Sequence, residues 1–188
     1  MQKPLLVLED TSPRSRRTLF RIAGVTWAAT RYAWVSPLFW TALGMAVAWA
    51  GRRGEPIEEA LLVGCGYGLA LYVSNALHSV GHIVAGRVAG APMGTNLLTS
   101  TRDVTIYLQP GASVPRRPRV ARALGGPVAN LVCGIVALAA SGVGLPRWFA
   151  RVGYINIGVG LWTLAPVRSM DGWVIWRTLL GFDRDHAA

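Results

Sequence analysis

Two histidines four residues apart, His78 and His82, are the residues of this sequence best suited to chemistry. They lie in the stretch NALHSVGHIVAG, inside a segment, residues 60–86, that carries no formal charge. Positions i and i+4 of an α-helix lie on one face, so both imidazoles can reach a common point. Such a pair suits a tetrahedral metal such as zinc, which needs further ligands. The spacing therefore predicts part of a metal site, and the alternative is a structural pair of hydrogen-bonding side chains.

A third ligand would have to come from the nine acidic residues. Seven of them lie in the terminal segments or in residues 52–59, which leaves Asp103 and Asp171. Asp171 follows an apolar stretch broken by Pro166, where an unpaired carboxylate would be costly. We therefore predict that Asp171 is the third ligand. The alternative is that this residue caps a helix, because aspartate favours the N-cap position.

The segments that carry these residues are predicted to cross a membrane. The 188 residues are 52% hydrophobic and 15% charged and include eight tryptophans, which argues against an ordinary soluble domain. A spanning helix needs about 20 apolar residues, and three charge-free runs reach that length. The fourth run, 152–167, is short and would have to begin in the headgroups at Trp148 and Phe149. The predicted spans are residues 32–51, 60–86, 123–146 and 148–167.

The distribution of basic residues predicts the orientation in the membrane. Of the 19 lysines and arginines, 15 lie before the first span, between the second and third, or after the fourth, and the remaining 4 lie in the other two loops. Cytoplasmic loops are enriched in lysine and arginine, so both termini are predicted to be cytoplasmic, in a cell inner or plasma membrane. The net charge of +10 then reflects topology and contact with anionic membrane lipids, and nucleic-acid binding is the weaker alternative.

The remaining segments complete the predicted organisation. Residues 1–31 are expected to form a basic cytoplasmic tail, and residues 32–188 a membrane domain that ends in a cytoplasmic-side helix. The connection 87–122 contains two β-prone runs, MGTNLLTS and DVTIYLQP, which predict a small β-hairpin. The expected fold class is an all-α polytopic membrane protein with about four transmembrane helices and this small hairpin in a cytoplasmic loop.

Three segments, in this order, resemble the site-2 protease family of intramembrane zinc metalloproteases. They are HSVGH with the following IVAGRVAGAP, then GGPVANL, then LAPVRSMDGW. In that family the first motif supplies two zinc-binding histidines and a glutamate, and an Asp-Gly pair supplies the last ligand. The resemblance implies a site-2 protease-like core in which His78, His82 and Asp171 bind zinc.

The resemblance also bears on two asparagines. Asn130, in GGPVANL, would lie near the site, and Asn75 lies on the same helical stripe as the two histidines. Both are expected to line a groove for a substrate or partner. For GGPVAN the alternative is close helix packing, which small residues allow.

The sequence departs from the family pattern at the catalytic position. Ser79 stands where the family has glutamate, the residue that acts as general base. General acid–base catalysis contributes about 10²–10⁴ in rate, and a serine hydroxyl is a very poor base near neutral pH. Thr163 and Ser169 also replace an asparagine and a proline that are common in the family. We therefore predict no catalytic residue, with Ser79 as the degenerate position.

These observations favour a non-catalytic role. The predicted protein is a pseudoprotease that acts as a subunit or regulator in a membrane assembly, binds a transmembrane partner and retains a zinc site. One alternative is an active intramembrane zinc protease in which another group replaces the glutamate. The other is a pigment- or haem-binding subunit, because intramembrane histidines also ligate tetrapyrroles.

Overall fold

A computed structural model describes residues 9–51, 56–109, 113–168 and 170–182 of the chain. Ser169, one of the departures from the family pattern, lies outside the described residues. The described elements, in chain order, are β1 (Arg17–Ile22), β2 (Val25–Ala29), α1 (Val35–Gly51), α2 (Ile57–Val88), β3 (Met93–Leu98), β4 (Asp103–Tyr107), α3 (Arg116–Gly142), α4 (Trp148–Thr163) and α5 (Asp171–Leu180).

All four apolar runs of the sequence form helices, but their lengths differ. Helices α2 and α3 are long and apolar enough to cross a membrane. Helix α1 has 17 residues and α4 has 16, so each is about 25 Å long at 1.5 Å per residue, against roughly 30 Å of hydrocarbon core. Helix α4 ends at Thr163, short of the predicted end at residue 167, because Pro166 lacks an N–H and disfavours helical backbone in the residue before it.

The strands form one four-stranded sheet in the order β1-β2-β3-β4. Strands β3 and β4 pair antiparallel, which confirms the predicted hairpin, and β2 joins β3 in parallel. Val25 of β2, Ile83 of α2 and Met93 of β3 form a buried cluster, with Trp27 and Tyr107 packed against it. The sheet therefore rests on the half of α2 that carries the histidines.

The sequence analysis does not predict β1 and β2, because it assigns residues 1–31 to a tail. Every residue of β1 is exposed, and Arg17 and Arg21 interrupt its short sequence RTLFRI, so no buried face is visible in its sequence. Strand β2 buries Val25 and Ala28, which are three positions apart and so do not give the alternating pattern of one buried face, and its pairing partner β3 lies far along the chain. The protein is thus mostly helical with a sheet twice the size of the predicted hairpin.

Helices α2 and α3 approach each other closely at two facing glycines. A methyl group added to Gly81 would lie 2.2 Å from the Gly125 carbonyl oxygen, and one added to Gly125 would lie 2.4 Å from the Gly81 carbonyl oxygen. Only glycine, which has no side chain, permits this backbone contact. Close contacts between membrane helices generally occur at such small residues. The contact holds the face of α2 that carries His82 directly against α3.

We expect Gly81→Ala to lower the free energy of unfolding by about 1–3 kcal/mol, because the new methyl group overlaps the α3 backbone. Thermal unfolding of the purified protein in mild detergent, followed by circular dichroism, measures the change. Gly66→Ala is the matched control, since this glycine is in the same helix and a methyl group there has no neighbour within 4 Å. Equal losses in both variants would contradict the glycine contact.

Candidate metal centre

His78, His82 and Asp171 converge on one point. His78 Nε2 lies 2.9 Å from Asp171 Oδ2 and 3.0 Å from His82 Nε2. His82 Nε2 lies 3.3 Å from Asp171 Oδ1. Ligand atoms of a tetrahedral zinc ion, at bond lengths of 2.0–2.2 Å, are about 3.4 Å apart. The three side chains therefore present a slightly contracted set of ligands for one small metal ion.

One hydrogen bond to the backbone of α3 orients His82. Its Nδ1 lies 2.8 Å from the carbonyl oxygen of Arg122, which can only accept, so Nδ1 carries the hydrogen. In the neutral ring the lone pair then lies on Nε2, which faces the cluster, as metal-binding histidines require. The Tyr107 hydroxyl donates to the same carbonyl at 3.3 Å. Burial raises the pKa of Tyr107, so this hydroxyl keeps its hydrogen.

Gly126 provides the space for His78. A methyl group on this residue would lie 2.4 Å from His78 Nε2 and 2.5 Å from Cε1, so the imidazole rests on bare α3 backbone. The second ring nitrogen of His78, Nδ1, is buried and has no hydrogen-bond partner among the described residues. His78 is thus placed by packing, whereas His82 is placed by a hydrogen bond.

Asp171 reaches the histidines from the first turn of α5. Met170 occupies the N-cap and Asp171 the first helical position, so the capping alternative is not realised, and the carboxylate faces the imidazoles. Gly172 makes this approach possible, because a methyl group there would lie 2.1 Å from the Leu164 carbonyl oxygen. Burial by itself raises the pKa of Asp171, but the two histidines outweigh it and hold the pKa at about 2. The carboxylate is therefore ionised, as a metal ligand must be.

No carboxylate takes the place of the missing glutamate within the cluster. Ser79 directly follows His78 on α2 and is 2% exposed. Among the described residues, the group of potential metal ligands consists of His78, His82 and Asp171 alone. Asp103, the other acid that the sequence left open, lies in β4 outside this group, and burial raises its pKa to about 6. The centre can hold a cation, and among the described residues no further carboxylate belongs to it.

The two asparagines predicted to line a groove differ in exposure. Asn130 is completely buried, and its Nδ2 donates to Ser74 Oγ at 2.7 Å. Ser74 Oγ in turn donates to Asn156 Oδ1 at 3.0 Å, so three side chains link α2, α3 and α4. Asn130 therefore sits inside the helix packing, and Asn75 is partly exposed on the neighbouring position of α2.

Sequence reasoning missed Asn156 and the link that it makes. The available signal was a polar amide in the apolar run YINIGVG, since polar groups in membrane helices usually have partners inside the protein. The sequence does not reveal the partners of Asn156, because Ser74 and Asn130 lie on two other helices.

Comparison with solved structures relates this arrangement to a known fold. The site-2 protease from Methanocaldococcus jannaschii matches with a TM-score of 0.64 and 20% sequence identity, over 91% of this chain and 74% of that one. The chain has a site-2 protease-like fold. Together with the two long apolar helices, this fold indicates an integral membrane protein. No family model and no curated protein matches the sequence.

We expect Gly126→Ala to weaken metal binding about 10–100-fold, because its methyl group displaces the His78 imidazole, and disturbed ligand orientation costs affinity on this scale. Competition of the purified protein with a chelating dye for Zn²⁺ measures the affinity. Gly142→Ala, in the same helix with open space around the new methyl group, should bind as wild type does, and His78→Ala defines loss of the site. Unchanged Zn²⁺ affinity in Gly126→Ala would place the metal elsewhere.

Proposed function

We propose that this protein is a membrane-embedded pseudoprotease that retains a zinc site and acts as a non-catalytic subunit or regulator bound to a transmembrane partner. Two features together support the proposal. Three potential metal ligands lie close together, and the residue that follows His78 is a buried serine. The ligands fit a metal ion. The residue that would move protons in a protease is absent from the cluster.

The arrangement supports a structural use of the metal. Bound zinc would supply Lewis-acid chemistry, but peptide hydrolysis also requires a group that accepts a proton and returns it to the leaving amine. The Ser79 hydroxyl cannot hold a proton in transit. What the three ligands can do is join the first turn of α5 to the C-terminal part of α2, two elements that both pack on α3. Ligation would therefore fix the position of α5.

We further propose four membrane crossings with both termini in the cytoplasm. Helix α1 packs against α2, and α4 packs against α3 and also contacts α2 through the bond between Ser74 and Asn156, so the four helices form one bundle. Trp148 and Phe149 stack at the start of α4 with ring centroids 4.1 Å apart, and Trp148 is 54% exposed. Aromatic side chains of this kind are enriched at membrane interfaces, where they would extend the short α4. The excess of basic residues on one side supports the orientation.

The geometry disfavours a tetrapyrrole ligand. The two histidine Nε2 atoms lie 3.0 Å apart and also contact Asp171, so each Nε2 atom faces other side chains, while His82 Nδ1 is bonded to the Arg122 carbonyl. A haem or chlorin needs a flat space next to the nitrogen that ligates its metal. Three groups in mutual contact leave no such space. The active-protease alternative, in turn, needs a base that the cluster does not contain.

We expect the purified wild-type protein to release no product from a transmembrane peptide substrate with or without added Zn²⁺. Reconstituted vesicles and mass spectrometry of the products provide the assay. Ser79→Glu, which restores the family residue, and the double variant His78→Ala/Ser79→Glu serve as comparison and control. Zinc-dependent cleavage by the wild type, abolished by His78→Ala, would overturn the non-catalytic proposal.

A second test concerns the partner. A photo-crosslinking amino acid at position 75, beside the histidines, is expected to form an adduct with a membrane protein in native membranes, because Asn75 is partly exposed on the proposed groove. The same amino acid at Leu62, a 74% exposed position of α2, is the control for contacts made by chance in the lipid. Equal crosslinking at both positions would argue against a specific partner at this site.

A further inference from the structure

Two buried polar atoms on facing helices lack a hydrogen-bond partner among the described residues. One is Nδ1 of His78, the ring nitrogen that does not face the other two ligands, and the other is Oδ1 of Asn130. A buried polar atom without a partner lowers stability, so native structures contain few of them. The position and chemical type of these two atoms explain why both are unpaired.

The packing of α2 on α3 places the two side chains on adjacent turns. His78 rests on Gly126, and Ser74, one turn earlier on α2, is bonded to Asn130, one turn later on α3. The two helices are therefore antiparallel along this contact, and one turn is about 6 Å. Helical side chains lean toward the N-terminus of their own helix. The His78 ring and the Asn130 amide therefore lean toward each other.

The other bonds of Asn130 fix the orientation of its amide. Asn156 Nδ2 donates to the Val152 carbonyl, so Asn156 Oδ1 accepts the hydrogen of Ser74 Oγ at 3.0 Å. Ser74 Oγ can then only accept, which it does from Asn130 Nδ2 at 2.7 Å. The same Nδ2 lies 3.4 Å from the Ser74 carbonyl oxygen, another acceptor. The free end of the Asn130 amide is therefore its oxygen, which requires a donor.

In this structure the hydrogen of the neutral His78 ring lies on Nε2. His82 carries its own hydrogen on Nδ1, so His82 Nε2 offers only a lone pair to His78 Nε2 at 3.0 Å. The Asp171 carboxylate, 2.9 Å from His78 Nε2, is also an acceptor. His78 Nε2 must therefore donate, which leaves a lone pair on Nδ1. His78 Nδ1 and Asn130 Oδ1 are then both acceptors, and two acceptors cannot form a hydrogen bond.

We propose that Asn130 is a positioning residue, which accepts a hydrogen bond from His78 Nδ1 when His78 Nε2 ligates a metal ion. A ligating nitrogen uses its lone pair, so the ring loses the hydrogen on Nε2 to solvent and gains one on Nδ1. Metal-binding histidines almost always donate this second hydrogen to an oxygen. Asn130 Oδ1 is the unpaired buried oxygen on the adjacent turn. The inference rests on the zinc site of the proposed function and requires nothing of catalysis.

One other buried side-chain oxygen is unpaired in the described part of the chain, Oδ1 of Asn96. Asn96 belongs to β3, and the sheet packs on α2 at Ile83. Ile83 is five positions from His78, which is about 140° around the helix at 3.6 residues per turn. Asn96 therefore belongs to a surface that meets another side of α2, and it provides a control for the loss of a buried amide.

The test records ¹⁵N NMR spectra of the histidine rings in the full chain, in mild detergent, without and with Zn²⁺. The chain has three histidines, and His78→Ala assigns the His78 signals. We expect the hydrogen of His78 on Nε2 without Zn²⁺, and on Nδ1, protected from exchange with water, when Zn²⁺ is present. Asn130→Leu should remove this protection and lower the Zn²⁺ affinity, measured against a chelating dye, about 10–100-fold, as for other outer partners of metal ligands.

Three variants separate positioning from packing. Asn130→Asp keeps an oxygen acceptor at this position, so the protected hydrogen on Nδ1 and the Zn²⁺ affinity should be retained. Asn156→Leu breaks the same buried link on the other side of Ser74, and Asn96→Leu removes the other unpaired amide. Both should leave the His78 signals and the Zn²⁺ affinity unchanged, whatever they cost in stability.

The possible failures are distinguishable. An Nδ1 hydrogen of His78 that exchanges freely with water in the Zn²⁺-bound wild type overturns the role of Asn130 without any variant. Protection that survives Asn130→Leu, or that Asn156→Leu removes equally, overturns it while the zinc site stands. If the wild type binds Zn²⁺ no better than His78→Ala does, the zinc site of the proposed function fails, and this inference fails with it.

Discussion

The backbone contact between Gly81 and Gly125 is the constraint on which the candidate centre depends. With the two helices this close, the next turn of α3 lies within reach of both imidazoles. The Arg122 carbonyl accepts the hydrogen of His82 Nδ1, and Gly126 provides the flat surface for His78. Residues 122, 125 and 126 share one face of α3, since they are three and four positions apart. A larger residue at either contact glycine would separate the helices and thereby the groups that orient the histidines.

Asp171 meets the histidines by an independent route. Pro166 prevents α4 from continuing. The chain then turns back, and Gly172 packs against the Leu164 carbonyl. Trp176 donates to the same carbonyl one turn later, so α5 is fixed to the end of α4 at two points. The backbone of α5 next to Asp171 is thus held by contacts with the end of α4 that do not involve α2. A cation at the cluster would join two parts of the fold that are otherwise connected through α3.

Sequence reasoning could identify the three side chains that the fold brings together because each carries a local signal. The histidines have helical spacing in a charge-free run, and Asp171 is the acid left in apolar surroundings. It could not find β1 and β2, since β1 buries none of its residues and β2 pairs in parallel with a strand far away. Sequence reasoning also fails for Asn130, for the same reason: its partner is distant in the sequence. Its position in GGPVAN suggested a groove, but its partner Ser74 belongs to another helix, and only the packing decides that its amide is buried.

The position after His78 distinguishes a cation-binding site from a hydrolytic one. A catalytic glutamate must have its carboxylate free beside the metal, with room for a nucleophile and a substrate. Ser79 is 2% exposed, on a helix whose neighbouring positions 81 and 82 are pressed against α3. A small hydroxyl fits into such packing at little cost, whereas a buried carboxylate would need a partner of its own. The buried serine therefore supports the proposal that the three side chains serve to connect helices.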